Sequence, residues 1–311
     1  MLAIMIGIAI GIGLPIQTSI NSRLRQSVGS PFLASLISFA IGTMFLGIIT
    51  LGVDHSIWFA NELFVSQPWW LWLGGLFGVV YLTGNILLFP KLGSVQTVIM
   101  PVCGQILMGL LIDNFGWFYS GVTPLTSVRL LGAACVLLGV VITVAVSQWL
   151  TTRHQPRTSQ AGGGFWFWRL LGVGAGMLSA TQTAVNGHLG QVLNSGLKAA
   201  LVSFLFGTIA LVLINLVLRP TLTLSRPTKR ANPWWMWIGG MIGALYVLGN
   251  VYLVPMVGTG LAVVIVLVGL ITGSLLIDQF GWLGAKRQPI TVMQVLGLVV
   301  MIGGVVLIRL F

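Results

Sequence analysis

The sequence predicts an all-α polytopic membrane protein of ten transmembrane helices, arranged as two inverted five-helix repeats. Three observations carry this. Of the 311 residues 57% are hydrophobic and only 6% charged, where soluble domains carry about 25% charge. The apolar runs are continuous and about twenty residues long, the length of a bilayer-crossing helix rather than of the alternating barrel strands of about ten. The pattern of the first half also returns in the second at a fixed displacement.

The spans fall at 2–21, 31–53, 68–88, 94–113, 128–149, 166–187, 198–218, 233–253, 259–278 and 290–310. The first is apolar from Leu2 without a basic leader, so it reads as a retained helix and not as a cleaved signal. The least apolar connector, "TTRHQPRTSQAGGG" from Thr151 to Gly164, reads as a linker. Residues 1–150 thus form the first repeat, 151–164 a cytoplasmic linker and 165–311 the second, inverted repeat.

Gln17 corresponds to Gln182, a displacement of 165, and the same displacement carries Asn21 to Asn186 and Gly42-Thr43 to Gly207-Thr208. It also takes Pro68-Trp69-Trp70 to Pro233-Trp234-Trp235, Gly84-Asn85 to Gly249-Asn250, Pro90 to Pro255, and "LLIDNFGW" at Leu110 to "LLIDQFGW" at Leu275. One register held through loops as well as helices is a duplication.

Orientation follows from the bases, which mark cytoplasmic loops. Arg23, Arg25, Lys91, Arg153, Arg157, Arg219, Arg226, Lys229, Arg230, Lys286 and Arg287 fall on one side, which is therefore cytoplasmic, and both termini face outward to the periplasm. An odd number of helices per repeat turns the second copy upside down. Loop charges diverge accordingly, Arg23 and Arg25 becoming His188 and Gly190, and Lys91 becoming Met256. Inverted repeats around a midplane site are the architecture of alternating-access carriers. The net charge of +11 reflects four acids and membrane-flanking bases, and does not point to nucleic acid.

The candidate substrate-binding residues are polar side chains within spans. Gln17 and Asn21 share a helix face, as do Gln182 and Asn186. Two readings stand side by side: amides facing a central cavity, or interhelical glue of roughly 0.6–2 kcal/mol per bond. Asn85 and Asn250 each precede a proline by five residues, where a broken helix offers backbone to substrate; a helix end with proline in the loop is the favoured alternative. Tyr81 and Tyr246 lie one turn before these asparagines and, with Trp72 and Trp237, supply aromatic walls. Trp69, Trp70, Trp234 and Trp235 belong to the interfacial belt, and Gln96 and Gln105, lacking amide copies, are secondary candidates. Asp113 and Asp278 are candidate gate or coupling groups; a structural turn is favoured, because a span's edge lowers the cost of burial. The spans hold no nucleophile–base pair or metal cluster, so no enzyme, cofactor or metal is expected, and Cys103 and Cys135 read as inert thiols.

The pattern G-x3-G-x5-Q-T-x-x-N-x-x-L, then S-F-x-x-G-T, P-W-W-x-W, G-N-x-x-L-x-P and L-L-I-D-x-F-G-W resembles the YdcZ-like branch of the drug/metabolite transporter superfamily, in both halves. The resemblance implies ten helices when fused, an inner-membrane location and movement of small molecules, with export as the direction. In the similar small multidrug resistance proteins, a first-helix glutamate precedes a lysine by eight residues. Gln17 precedes Arg25 by that spacing, so an amide that cannot titrate stands where those proteins bind a proton. The expected function is a carrier of a small organic solute with little fixed charge, acting as a monomer or homodimer in the bilayer. The alternatives are a lipid or lipid-linked sugar flippase of the same fold, a membrane-embedded enzyme and a non-transporting scaffold. A reporter fused after Phe311 is expected to read as periplasmic; a cytoplasmic reading would overturn the topology.

Overall fold

The computed structural model describes residues 2–142, 165–221, 224, 232–284 and 290–310; of these, the side chains of 89–99, 165, 278, 284, 305, 309 and 310 lie outside the description. The predicted linker, the end of the fifth span, and the side chains of Gln96 and Asp278 therefore fall outside the described residues.

The described residues are helical, without strands. In chain order they form α1 (Leu2–Val28), α2 (Pro31–Val53), the single turn α3 (Leu63–Ser66), α4 (Gly74–Phe115), α5 (Ser127–Val141), α6 (Phe165–Val192), α7 (Gly196–Leu218), α8 (Gly239–Val257), α9 (Thr259–Phe280) and α10 (Val292–Leu310). Short 3₁₀ turns at Trp69–Leu73 and Trp234–Trp237 lead into α4 and α8. Six segments among the described residues are long and apolar enough to cross a membrane, and Met100–Phe115, Ser127–Val141 and Val292–Ile308 are shorter apolar helices.

The starts of these helices are set by local chemistry that the duplication copied. Ser30 caps α2 by accepting from the Leu33 amide, with Pro31 in the first turn, and its copy Ser195 caps α7 through Lys198. Thr126 accepts from the Arg129 amide at the start of α5, and Thr291 from Gln294 at the start of α10.

The third and fourth predicted spans lie within one unbroken helical assignment, α4, of 42 residues. A Cβ added at Gly172 of α6 would nonetheless lie 3.4 Å from Leu88 and 2.8 Å from Met100. In a straight helix those two residues would stand about 18 Å apart. The chain therefore doubles back between them, and both arms of α4 pack along α6. In the second half the corresponding break is open: Gly258, at φ 81°, separates α8 from α9. Pro255 lies inside α8, two residues from its end, and not in a loop.

Contacts between the halves occur twice, with partners exchanged. Gly75 presses its backbone on the Ser203 carbonyl, and its copy Gly240 on the Ser38 carbonyl. Gly132 meets Gly304 and Ile308, while Gly139 meets Gly297 and Met301. Residues that touch their own copies mark a pseudo-twofold axis: the Phe39 and Phe204 rings stack at 4.9 Å, and the Thr43 and Thr208 hydroxyls are bonded at 2.8 Å. The C-terminal part of α4 meets the N-terminal turn of α9, Gly109 lying against Gly260 and Asp113 against Thr259. Small residues permit this approach, which in lipid must replace the hydrophobic driving force between helices.

Gly75→Ala and Gly240→Ala should each destabilise the fold by about 1–3 kcal/mol, because the added methyl meets backbone that cannot move aside. Gly52→Ala and Gly303→Ala, with open space around them, should be close to neutral. Denaturation of the purified variants in detergent checks both.

Candidate functional site

The polar residues of the interior sit on α1 and α6 and on the helices facing them. Thr18 and Thr183 return their hydroxyls to the carbonyls of Leu14 and Ser179, at 2.9 and 3.0 Å, and so satisfy themselves. Gln17 and Asn21 are buried against Gly243 and Gly239 of α8, and Gln182 and Asn186 against Gly78 and Gly74 of α4. A Cβ at Gly78 would stand 2.6 Å from the Gln182 amide nitrogen, so the amides fill notches that only glycine leaves. Asn186 donates to Ser203 Oγ at 3.0 Å, whereas neither amide atom of its copy Asn21 has a hydrogen-bond partner.

Deeper between the repeats, Tyr81 faces Asn85 and Gln105, and Tyr246 faces Ser179, Asn250 and Thr183. Both tyrosines are half-buried, and Tyr246 packs against two apolar clusters. Asn250 bonds the Tyr246 carbonyl at 3.0 Å; Asn85 Oδ1 is buried and completes no hydrogen bond at bonding distance. Gln105 Nε2 donates to Ser179 Oγ at 3.2 Å, joining the two tyrosine neighbourhoods. The structure thus brings Tyr81, Tyr246, Asn85, Asn250 and Gln105 together. Ser179 and Thr183 escaped sequence reasoning, although their crowding with Thr181, Gln182 and Asn186 in an apolar helix was the available signal. The Trp72 ring stacks on Phe64 at 4.3 Å within an aromatic cluster away from this network. Trp69 and Trp234 are mostly exposed.

Asp113 is buried and accepts from the amides of Thr259 and Gly260 at 2.9 and 2.8 Å, at the N-terminus of α9. The helix dipole and the free amides of a first turn favour a carboxylate there. Arg129, also buried, lies 3.6 Å from Asp113 and donates to the carbonyls of Thr123 and Pro124. One carboxylate thereby ties the end of α4, in the first repeat, to the start of α9, in the second. Asn114 holds the Leu125 amide at 2.8 Å, and its copy Gln279 the Ile290 amide at 2.7 Å, so both Phe-Gly-Trp corners fold alike, through Gly116 at φ 63° and Gly281 at φ 65°.

Beside Asp113 opens a cavity of about 440 Å³, lined by Phe118, Tyr119, Arg129, Gln191, Val254 and Leu261 among others. His188 forms part of its wall, its ring 4.7 Å from that of Tyr119. Away from this cavity, polar bonds tie α1 to the second half and to α4. Arg23 and Ser27 both donate to Asn232 Oδ1, at 3.0 and 3.1 Å. Arg25 donates to the Ile86 carbonyl at 3.2 Å. That carbonyl lies four residues before Pro90, whose missing N–H leaves it without a helical partner. The copies of Arg23 and Arg25 are His188 and Gly190, so the cavity end lacks these ties.

Asp113→Ala or Arg129→Ala alone should cost about 3–5 kcal/mol, since each strands a buried charge. The double variant should cost clearly less than the sum of the two. A double-mutant cycle on unfolding in detergent reads this; simple additivity would mean the pair is not coupled.

Residues 2–142 and 167–307 each match the family model described as "Putative inner membrane exporter, YdcZ". Both boundaries are displaced by 165 residues, the register of the duplicated motifs. The Inner membrane protein YdcZ of Escherichia coli (strain K12) is 29% identical over 147 residues, covering 47% of this chain and 92% of that protein. A solved crystal structure, 15% identical, superposes with a TM-score of 0.67 over 98% of this chain and 94% of that one, a likeness of fold. The chain belongs to the YdcZ-like family of the drug/metabolite transporter superfamily, in its two-repeat form.

Proposed function

We propose that this protein is a secondary carrier that exports a small organic solute across the inner membrane by alternating access. Family membership supports the general statement, a multi-pass inner-membrane transporter of the exporter kind. The finer reading has ten crossing segments in two inverted repeats, α4 supplying two of them, with both termini periplasmic.

One observation carries it: the contacts between the halves are exchanged about an axis on which Phe39 meets Phe204 and Thr43 meets Thr208. Two units related in this way have two equivalent tilts, and the tilts are equal in packing but opposite in the side they open. The cavity beside Tyr119, with polar ties at Arg25 and Asn232 away from it, supports reading this structure as one such tilt. Solute would sit near Tyr81 and Tyr246, between the two ends. Gln17, Asn21, Gln182 and Asn186, packed in glycine notches, would keep the helices in register as they rock, and so serve the site from behind it. Without a titratable group at Gln17 or Gln182, that position offers no proton for coupling. Asp113 and Asp278 remain candidate coupling or gate groups at the two ends.

Comparative metabolomics of cells lacking and overproducing the protein should show one solute class accumulating in the first and depleted in the second. Counterflow of that class should then appear in proteoliposomes. Protein that exchanges no solute across a broad panel would overturn the carrier reading.

A further inference from the structure

The pseudo-twofold axis gives every interior residue a copy, and most polar ones keep their polarity: Tyr81 and Tyr246, Asn85 and Asn250, Thr18 and Thr183. Some lose it in hydrogen-bonded pairs: Thr83 with Ser35, whose copies are Leu248 and Ala200, and, across the two repeats, Gln105 with Ser179. Gln105 donates to Ser179; their copies are Leu270 and Leu14, which pack in one apolar cluster. The same contact between repeats is thus a neutral hydrogen bond on one side of the axis and a leucine pair on the other.

We infer that the central site takes a neutral amphiphile, its hydroxyl or amide head on the Gln105–Ser179 side and its apolar body towards Leu14 and Leu270. This rests on the carrier reading above and names the substrate class of that same site. The polar side runs from Tyr81 through Gln105 and Ser179 to Tyr246, all groups that donate and accept without charge. Asn85 Oδ1, buried beside the Tyr81 hydroxyl, adds an uncharged acceptor to this side. None of these residues bears a charge, so an ionised head would lose its water with no counter-charge. A site that is polar on one side and apolar on the other matches a molecule with the same division, and orients it.

The test uses the full chain purified in detergent and four probes of one skeleton: 2-phenylethanol, 2-phenylethylamine, phenylacetate and ethylbenzene. The alcohol should bind at least tenfold more tightly than the other three. Gln105→Leu with Ser179→Leu, which rebuilds the native Leu270–Leu14 pair on the polar side, should melt near the wild-type temperature and lose that tenfold preference. Ser179→Thr should retain it. Ser179→Ala, a smaller change, should weaken alcohol binding severalfold and serves if the double variant does not fold. No binding of the alcohol, equal or better binding of the amine, carboxylate or hydrocarbon, or a preference that survives these changes would overturn the inference. Proteoliposome counterflow separates the failures: exchange of some other solute class by the wild type would sink this assignment alone, whereas exchange of none would sink the carrier reading.

Discussion

The close approach of backbone to backbone between the two repeats is the constraint on which the rest of the structure depends. Gly75 against the Ser203 carbonyl and Gly240 against the Ser38 carbonyl leave no space for a side chain. Lipid tails offer helices as apolar a surface as their neighbours do, so the repeats are held by fit and by interhelical hydrogen bonds. The fit is reciprocal, each glycine of one half receiving a group whose copy receives the copied glycine. Phe39, Phe204, Thr43 and Thr208 sit where that reciprocity passes through itself.

Reciprocity in the middle is set against difference at the ends. At one end Arg25 answers the carbonyl that Pro90 frees, and Arg23 joins Ser27 on Asn232. At the other, the same two positions hold Gly190 and His188, and the cavity lies beside them. Asp113 and Arg129 bind that end by a different route, through the first turn of α9. Arg25 completes a hydrogen bond that Pro90 leaves open, and its replacement by Gly190 in the copy removes that tie.

Much of this was legible in the sequence because a gapless displacement exposes what the duplication kept. Gln17, Asn21 and their copies stood out as amides in apolar helices, and the displacement of 165 gave the register at which the family model matches twice. The spacings Gly74-x3-Gly78 and Gly239-x3-Gly243 allow close helix approach, but no pattern says which helix face meets them. The link between Arg129 and Asp113 was not legible, because the two are sixteen residues apart around a corner that local periodicity does not describe. Ser179 was hidden for a related reason: it and Gln105 depart from the repeat separately in sequence and together only in space. The reversal inside α4 and the placement of Pro255 within α8 likewise needed coordinates, since proline near a span's end fits a loop as well as a last helical turn.

The measurement closest to the central claim pairs labels that the axis exchanges. Spin labels at Phe118 and Gln191 report the cavity end, and labels at their copies Leu283 and Gln26 the opposite end, in a background with Cys103 and Cys135 replaced. Electron–electron distance measurements in proteoliposomes, with and without the exported solute, should show one distance lengthening as the other shortens, with the two distributions trading places. Distances that stay fixed, or that lengthen and shorten together, would contradict a carrier that works by tilting one repeat against the other.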